Sequence, residues 1–248
     1  MHKHILLPIV SLLFLIGIPL KAQIIIDAET GLAFPGYNDV RIPNNSGTLF
    51  SFEDDFDAEG PVIPFRVRLG YTFKEKNHIY ALYAPLGINY NGTAKKDINF
   101  QSSVFTQGEA LDGYYKFNSY RLTYRRDIIS SENWLVGVGF TAKIRDARVR
   151  LANEQGLEDK KDDLGFVPLL HLYTAYDWGN DHLIYFEGDG LAGGPGRAFD
   201  LFLGTKLPIN DHLAIKAGYR YLEGGADVDE VYNFTLVQFA VAGLIIQL

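Results

Sequence analysis

The chain has 248 residues, of which 47% are hydrophobic, 21% charged and 14% aromatic, with 25 glycines and a formal net charge of −7. This composition excludes a disordered chain, which is poor in aromatics, and a helical membrane protein, which needs repeated apolar runs of about 18 residues or more. Without cysteine there is no disulfide framework, thiolate metal site, cysteine nucleophile or lipid-acylated anchor.

Residues 1–22 read as a secretory signal peptide. A basic start (His2, Lys3, His4) is followed by an apolar run from Ile5 to Ile18, a break at Pro19, and Ala22 before the expected cut. Its removal takes away Lys3 and Lys21, leaving 21 basic against 30 acidic residues and a formal charge of −9. That acidic balance argues against a nucleic-acid partner, which requires clustered excess Lys and Arg.

From residue 23 to 248 the dominant period is two, which places alternate side chains on opposite faces of strands. In the segment 65–73, Phe65, Val67, Leu69, Tyr71 and Phe73 alternate with Arg66, Arg68, Gly70 and Thr72. Tyr120, Leu122 and Tyr124 alternate in the same way with Arg121, Thr123 and Arg125, and Trp134, Val136, Val138 and Phe140 with Gly137, Gly139 and Thr141. Ten strands are expected, at 24–36, 62–74, 78–90, 114–128, 132–148, 163–178, 182–192, 197–208, 212–223 and 231–247. Most are long enough to cross a bilayer, which takes about 9–11 tilted residues. Connections near 74–77, 129–133, 179–181 and 210–211 are tight, whereas those at 37–61, 91–113, 149–162, 193–196 and 224–230 are expected to be mostly longer. The tight turns place Asn or Asp, which tolerate a left-handed backbone, before His78, Trp134, His182 and His212. These rings are expected at a membrane–water boundary.

Together these features resemble the bacterial outer-membrane β-barrel proteins over the whole chain. The terminal stretch carries Tyr232, Phe234, Leu236, Leu244, Ile246 and Leu248 on one face. It departs from the usual pattern of that class by ending in Leu248 rather than an aromatic residue. The resemblance implies an all-β, antiparallel transmembrane barrel of about ten strands as a single domain, placed in the outer membrane with both termini in the periplasm. It also implies contact with outer-membrane lipid and lipopolysaccharide, and with the machinery that inserts barrels.

If the apolar faces meet lipid, the opposite faces line a lumen. Basic candidates there are Arg66, Arg68, Arg121, Arg125, Lys143, Arg145, Lys216 and Arg220, and acidic ones include Glu187, Asp189 and Asp200, with Asp27 and Glu29 on the first strand. A ten-stranded barrel is little wider than one that its own side chains fill. The expected arrangement is therefore an ion-paired lumen, either purely structural or binding or passing a small anionic solute.

His171, the one histidine well inside a strand, is the weak candidate for acid–base catalysis in an outer-membrane hydrolase, with Asp162, Asp163 or Glu187 as partner. Surface recognition through the stretches 37–61 and 91–113 is a third reading. Gly188-Asp189-Gly190-Leu191-Ala192-Gly193 matches a dinucleotide fingerprint, but no helix follows it, so no cofactor is expected. Asp55, Asp57 and Glu59 resemble the start of a calcium loop whose twelfth position is Arg66 instead of glutamate, leaving them weak calcium candidates.

Overall fold

The computed structural model describes residues 23–248; the expected signal peptide lies outside the described residues. We number its strands β1 (Gln23–Arg41), β2 (Phe50–Ser51), β3 (Phe56–Ala58), β4 (Phe65–Phe73), β5 (Asn77–Ala84), β6 (Gly87–Thr93), β7 (Ile98–Phe100), β8 (Ser103–Phe105), β9 (Ala110–Ser130), β10 (Trp134–Asn153), β11 (Glu158–Asp177), β12 (Leu183–Gly193), β13 (Gly196–Asn210), β14 (Leu213–Val228) and β15 (Val231–Gln247). A single helical turn, α1 (Phe52–Asp55), joins β2 to β3.

The antiparallel ladder runs β1-β4-β5-β9-β10-β11-β12-β13-β14-β15 and returns to β1, so the sheet closes on itself. β5 and β6 are one strand of the ring interrupted at Pro85 and Leu86, since both pair with β9. The ring therefore has the ten strands that the alternation implies. Closure leaves no sheet edge for lipid to meet along most of the wall, which is what a spanning sheet requires.

Period two then sorts the side chains. Leu69, Leu122, Phe140, Leu170, Leu203 and Leu244 point outward and are exposed, while Arg121, Thr141, Asp189 and Asp200 point inward and are buried. The inner face is not uniformly polar, however. Tyr80, Tyr115, Phe202, Phe239 and Val241 are also inward and buried, because a narrow lumen must be filled by volume as well as by charge.

Both ends of the described stretch lie at one end of the barrel, where Ile24 and Leu248 exchange backbone hydrogen bonds of 3.1 and 2.9 Å. The four tight turns are at this same end. In two of them the adjacent residues Lys74 and Glu75, and Asn180 and Asp181, have φ between 48° and 60°, the left-handed backbone that lets a short turn reverse the chain.

The far end departs from the expected loops. Strands β9, β10 and β11 have 21, 20 and 20 residues, so the stretch expected as a 149–162 loop is mostly ladder, with a turn at 154–157. The 224–230 stretch likewise continues as β14 to a turn at 229–230, and Glu223 sits within that strand. Long connections are confined to 42–64 and 94–109. These two fold over the mouth as a cap, with Phe52 stacked on Tyr90 at 4.6 Å and edge-on to Phe50 at 5.3 Å. Phe100, Phe105 and Ile98 complete a buried apolar cluster with Ile42, Leu111 and Leu151. Their aromatic residues face inward because an exposed cluster of this size would leave much apolar area in water.

Close approach of strands makes some glycines obligatory. A Cβ on Gly139 would lie 1.8 Å from the Tyr124 carbonyl oxygen, whereas one on Gly193 would meet nothing within 4 Å. Gly139→Ala should thus deplete the compact, heat-modifiable band on cold-sample gels, and Gly193→Ala should leave it intact. Equal behaviour of the two would contradict the packing described.

Candidate functional site

Midway along the lumen, five carboxylates and five cations from opposite walls form one network. Asp200 accepts from Arg66 (2.9 Å), Arg121 (2.6 Å) and Arg220 (2.6 Å). Glu29 meets Arg66 (3.0 Å), Lys216 (2.6 Å) and Arg220 (2.9 Å). Asp27 bridges Arg68 (3.0 Å) and Lys216 (2.6 Å), and Arg68 also reaches across to Glu187. Asp189 accepts from Arg121 at 2.8 Å and from Thr141 at 2.7 Å. The parity of β1, β4, β9, β12, β13 and β14 aims these side chains into one layer, and equal numbers of opposite charges make the layer self-neutralising. A cavity of about 20 Å³ is left there, room for about one water.

His171 belongs to this layer. Its Nδ1 lies 2.8 Å from Asp189 and its Nε2 3.7 Å from Glu187. The expected rim partners Asp162 and Asp163 instead pair with Arg148 and Arg145, since β11 carries them about four repeats of the pleat nearer the cap. With about 20 Å³ beside it, His171 has no space for a peptide or lipid substrate.

The remaining predicted cations separate. Arg125 pairs with Asp127 at 3.1 Å and lies 4.1 Å from the centre of the Tyr173 ring, on the turn side of the layer. Beside them His78, expected at the barrel rim, is buried. Its Nδ1 is 2.9 Å from the Thr72 hydroxyl and its Nε2 2.8 Å from Asp127. Strand parity turns it inward, unlike the half-buried His182 and the exposed His212, which meet the backbone oxygens of Gly179 and Gln247. This group lines a cavity of about 210 Å³.

On the cap side, Arg145 pairs with Asp163, and its Nε has no partner. Lys143 is 2% exposed, and its Nζ lies 4.6 Å above the Phe117 ring. Among the described residues it has no ion-pair partner. Two adjoining cavities of about 370 and 380 Å³ share Phe117, Arg145 and residues 224–226. Their carboxylates are all engaged: Asp163 with Arg145, Asp162 with Arg148, and Glu230 with Lys161 at 3.1 Å. Lys143 is the charge left over among the predicted lumen cations; strand parity gives its inward position but not its lack of a partner.

The calcium candidates do not converge. Asp55 accepts from the Ser51 amide at 3.0 Å, Glu59 lies 3.5 Å from Asn91, and Asp57 is exposed. Among the described residues no group of three His, Asp or Glu side chains is placed to hold a metal ion.

In the cap, burial pushes the Glu53 carboxyl above its usual range, aided by Asp54 and opposed by the Tyr90 hydroxyl, which donates to it at 2.6 Å. Burial also raises Asp159, but hydrogen bonds from Ser102 and Lys160 outweigh it and hold that carboxyl below its usual range. A raised carboxyl pKa favours the folded cap while protonated, and the gain disappears as pH rises through the folded value. Acidification from neutrality toward about pH 4 should therefore raise the protection of cap amides, taken relative to their intrinsic exchange rate at each pH, with Asp159 still ionised. Glu53→Gln should remove that dependence; an unchanged pH profile would contradict the assignment to Glu53.

No protein-family model and no curated protein matches the chain. Solved structures do. The outer-membrane protease OmpT from Escherichia coli is 10% identical, with 91% of this chain and 97% of that chain covered, at a TM-score of 0.52. Ail, the attachment invasion locus protein of Yersinia pestis, is 12% identical, with 91% and 99% covered and a TM-score of 0.41. The translocator domain of the autotransporter NalP from Neisseria meningitidis is 9% identical, with 90% and 88% covered and a TM-score of 0.47. The fold is that of the bacterial outer-membrane β-barrels, which supports a location in the outer membrane. Proteins of that fold differ widely in activity, so function has to come from the site.

Proposed function

We propose that this protein is a non-enzymatic outer-membrane barrel that binds a small anionic solute in a vestibule beneath its cap and does not pass it freely through the lumen. The cap faces the cell exterior, and the tight turns and both termini face the periplasm, in keeping with the loop asymmetry of such barrels. Lys143 carries the reading: a buried ammonium without a counterion is costly, and it lines the cavity of about 380 Å³, to whose walls the described residues contribute no carboxylate. The self-neutralised layer below gives the solute no continuous route to the periplasm.

Equilibrium dialysis of radiolabelled butyrate against the purified barrel tests this. Saturable binding weakened at least tenfold by Lys143→Met is expected, since a charge-assisted contact contributes about 1.5–3 kcal/mol. Absence of saturable binding, or binding indifferent to Lys143→Met, would overturn it.

A further inference from the structure

The wall beside this vestibule is incomplete. β11 pairs with β12 only from Asp177 opposite Leu183 to Leu170 opposite Gly190, while its pairing with β10 continues as far as Glu158. Above Leu170, β11 has no neighbour on its β12 side, because β12 and β13 turn back at Gly193 and Gly196. The next wall element is β14, which carries residues 224–226. The cavity of about 380 Å³ lies in this notch, lined by 165–168 on one side, the β12–β13 hairpin below and 224–226 opposite, with Lys143 and Arg145 within. The Lys161–Glu230 pair closes the notch on the cap side.

The outward side chains fix its depth. Along β11 they run Tyr176, Thr174, Leu172, Leu170, Pro168, Phe166 and Leu164 before Asp162, Lys160 and Glu158. Leu164 and Phe166 are 73% and 68% exposed. The apolar band therefore ends at Leu164, and the opening at 165–168 falls within its last turns of pleat, at the outer leaflet. Irregular or unpaired backbone at membrane depth is tolerated where it lines a cavity, and Pro168, which has no amide hydrogen, suits a free edge.

We infer that this notch is a lateral window through which the vestibule takes a single-chain amphiphile with an anionic head, a long-chain carboxylate, from the outer leaflet. The inference rests on the vestibule reading above and adds the chain and its route. The carboxylate meets Lys143 Nζ and the unpartnered Arg145 Nε, while the chain leaves between β11 and the β12–β13 hairpin into lipid. A cavity at the lower end of the roughly 300–1,000 Å³ range of small-molecule sites holds one chain segment and a head, not several chains.

The test uses the full barrel in nanodiscs with radiolabelled palmitate and butyrate. Palmitate should bind at least tenfold more tightly than butyrate, and Lys143→Met should weaken both. Gly193→Trp, at a rim position where a side chain meets nothing within 4 Å, should weaken palmitate at least tenfold and weaken it more than it weakens butyrate. In the wild type, palmitate carrying a mid-chain diazirine should label peptides spanning 164–170 or 191–198. Label spread evenly over the lipid-facing strands overturns the window, as does palmitate binding no tighter than butyrate. Palmitate binding insensitive to Gly193→Trp in a heat-modifiable variant also overturns it. In each of these cases Lys143-dependent butyrate binding leaves the vestibule standing. Failure of both carboxylates to bind overturns the two readings together.

Discussion

Asp200→Ala is expected to destabilise the folded barrel by about 3–5 kcal/mol, because it takes one of two carboxylate partners from each of Arg66, Arg121 and Arg220 and leaves the buried layer with one uncompensated positive charge. Asp200 is 3% exposed, so water cannot take over its three contacts. Asp162→Ala also breaks an arginine pair, but its partner Arg148 is at the exposed rim, and its expected cost is at most about 1 kcal/mol. Urea unfolding in lipid vesicles, read by gel mobility, compares the two. Equal midpoints would mean that the central layer is solvated and that its ion pairs contribute little.

Phe52→Ala should have an effect of similar size but of local extent. Phe52 is fully buried, stacks on Tyr90 and fills the space above Gly113, where a Cβ would lie 2.4 Å from its Cε1. Removing a buried Phe side chain costs about 3–5 kcal/mol. The cap pairs with the ring only through the short ladders of β2 on β1 and β3 on β6, so the loss should appear as protease cleavage within 42–61 and 94–109 while the barrel stays heat-modifiable. Loss of the barrel itself in Phe52→Ala would show that the cap and ring fold as one unit.

The ring was largely readable in the sequence because alternation is a local property: Phe65 to Phe73 shows its two faces without knowledge of any neighbour. The same parity identified Arg66, Arg68, Arg121, Lys216, Arg220, Glu187, Asp189 and Asp200 as inward. Partners were not readable, since pairing across a lumen depends on register and on which walls face each other. Arg68 and Glu187, for example, are 119 residues apart. Lys143 follows the same pattern as Arg145, yet one is paired and the other is not, because Asp163 lies within reach of Arg145 alone. The inward turn of the cap aromatics was not readable for a related reason: aromatics in an irregular stretch have no period to show which way they turn. The window depends on β12 and β13 being shorter than the β9–β11 wall, and strand ends are weakly marked where glycines such as Gly193 and Gly196 continue the alternation.

Conductance across a planar bilayer tests the closed lumen most directly, using a barrel in which residues 44–60 are replaced by a short turn so that the cap cannot account for closure. The ion-paired layer predicts no discrete conductance steps in this variant in concentrated KCl, and steps once Arg121 and Asp200 are both changed to serine. Steady ohmic steps in the cap-deleted barrel with Arg121 and Asp200 intact would contradict it.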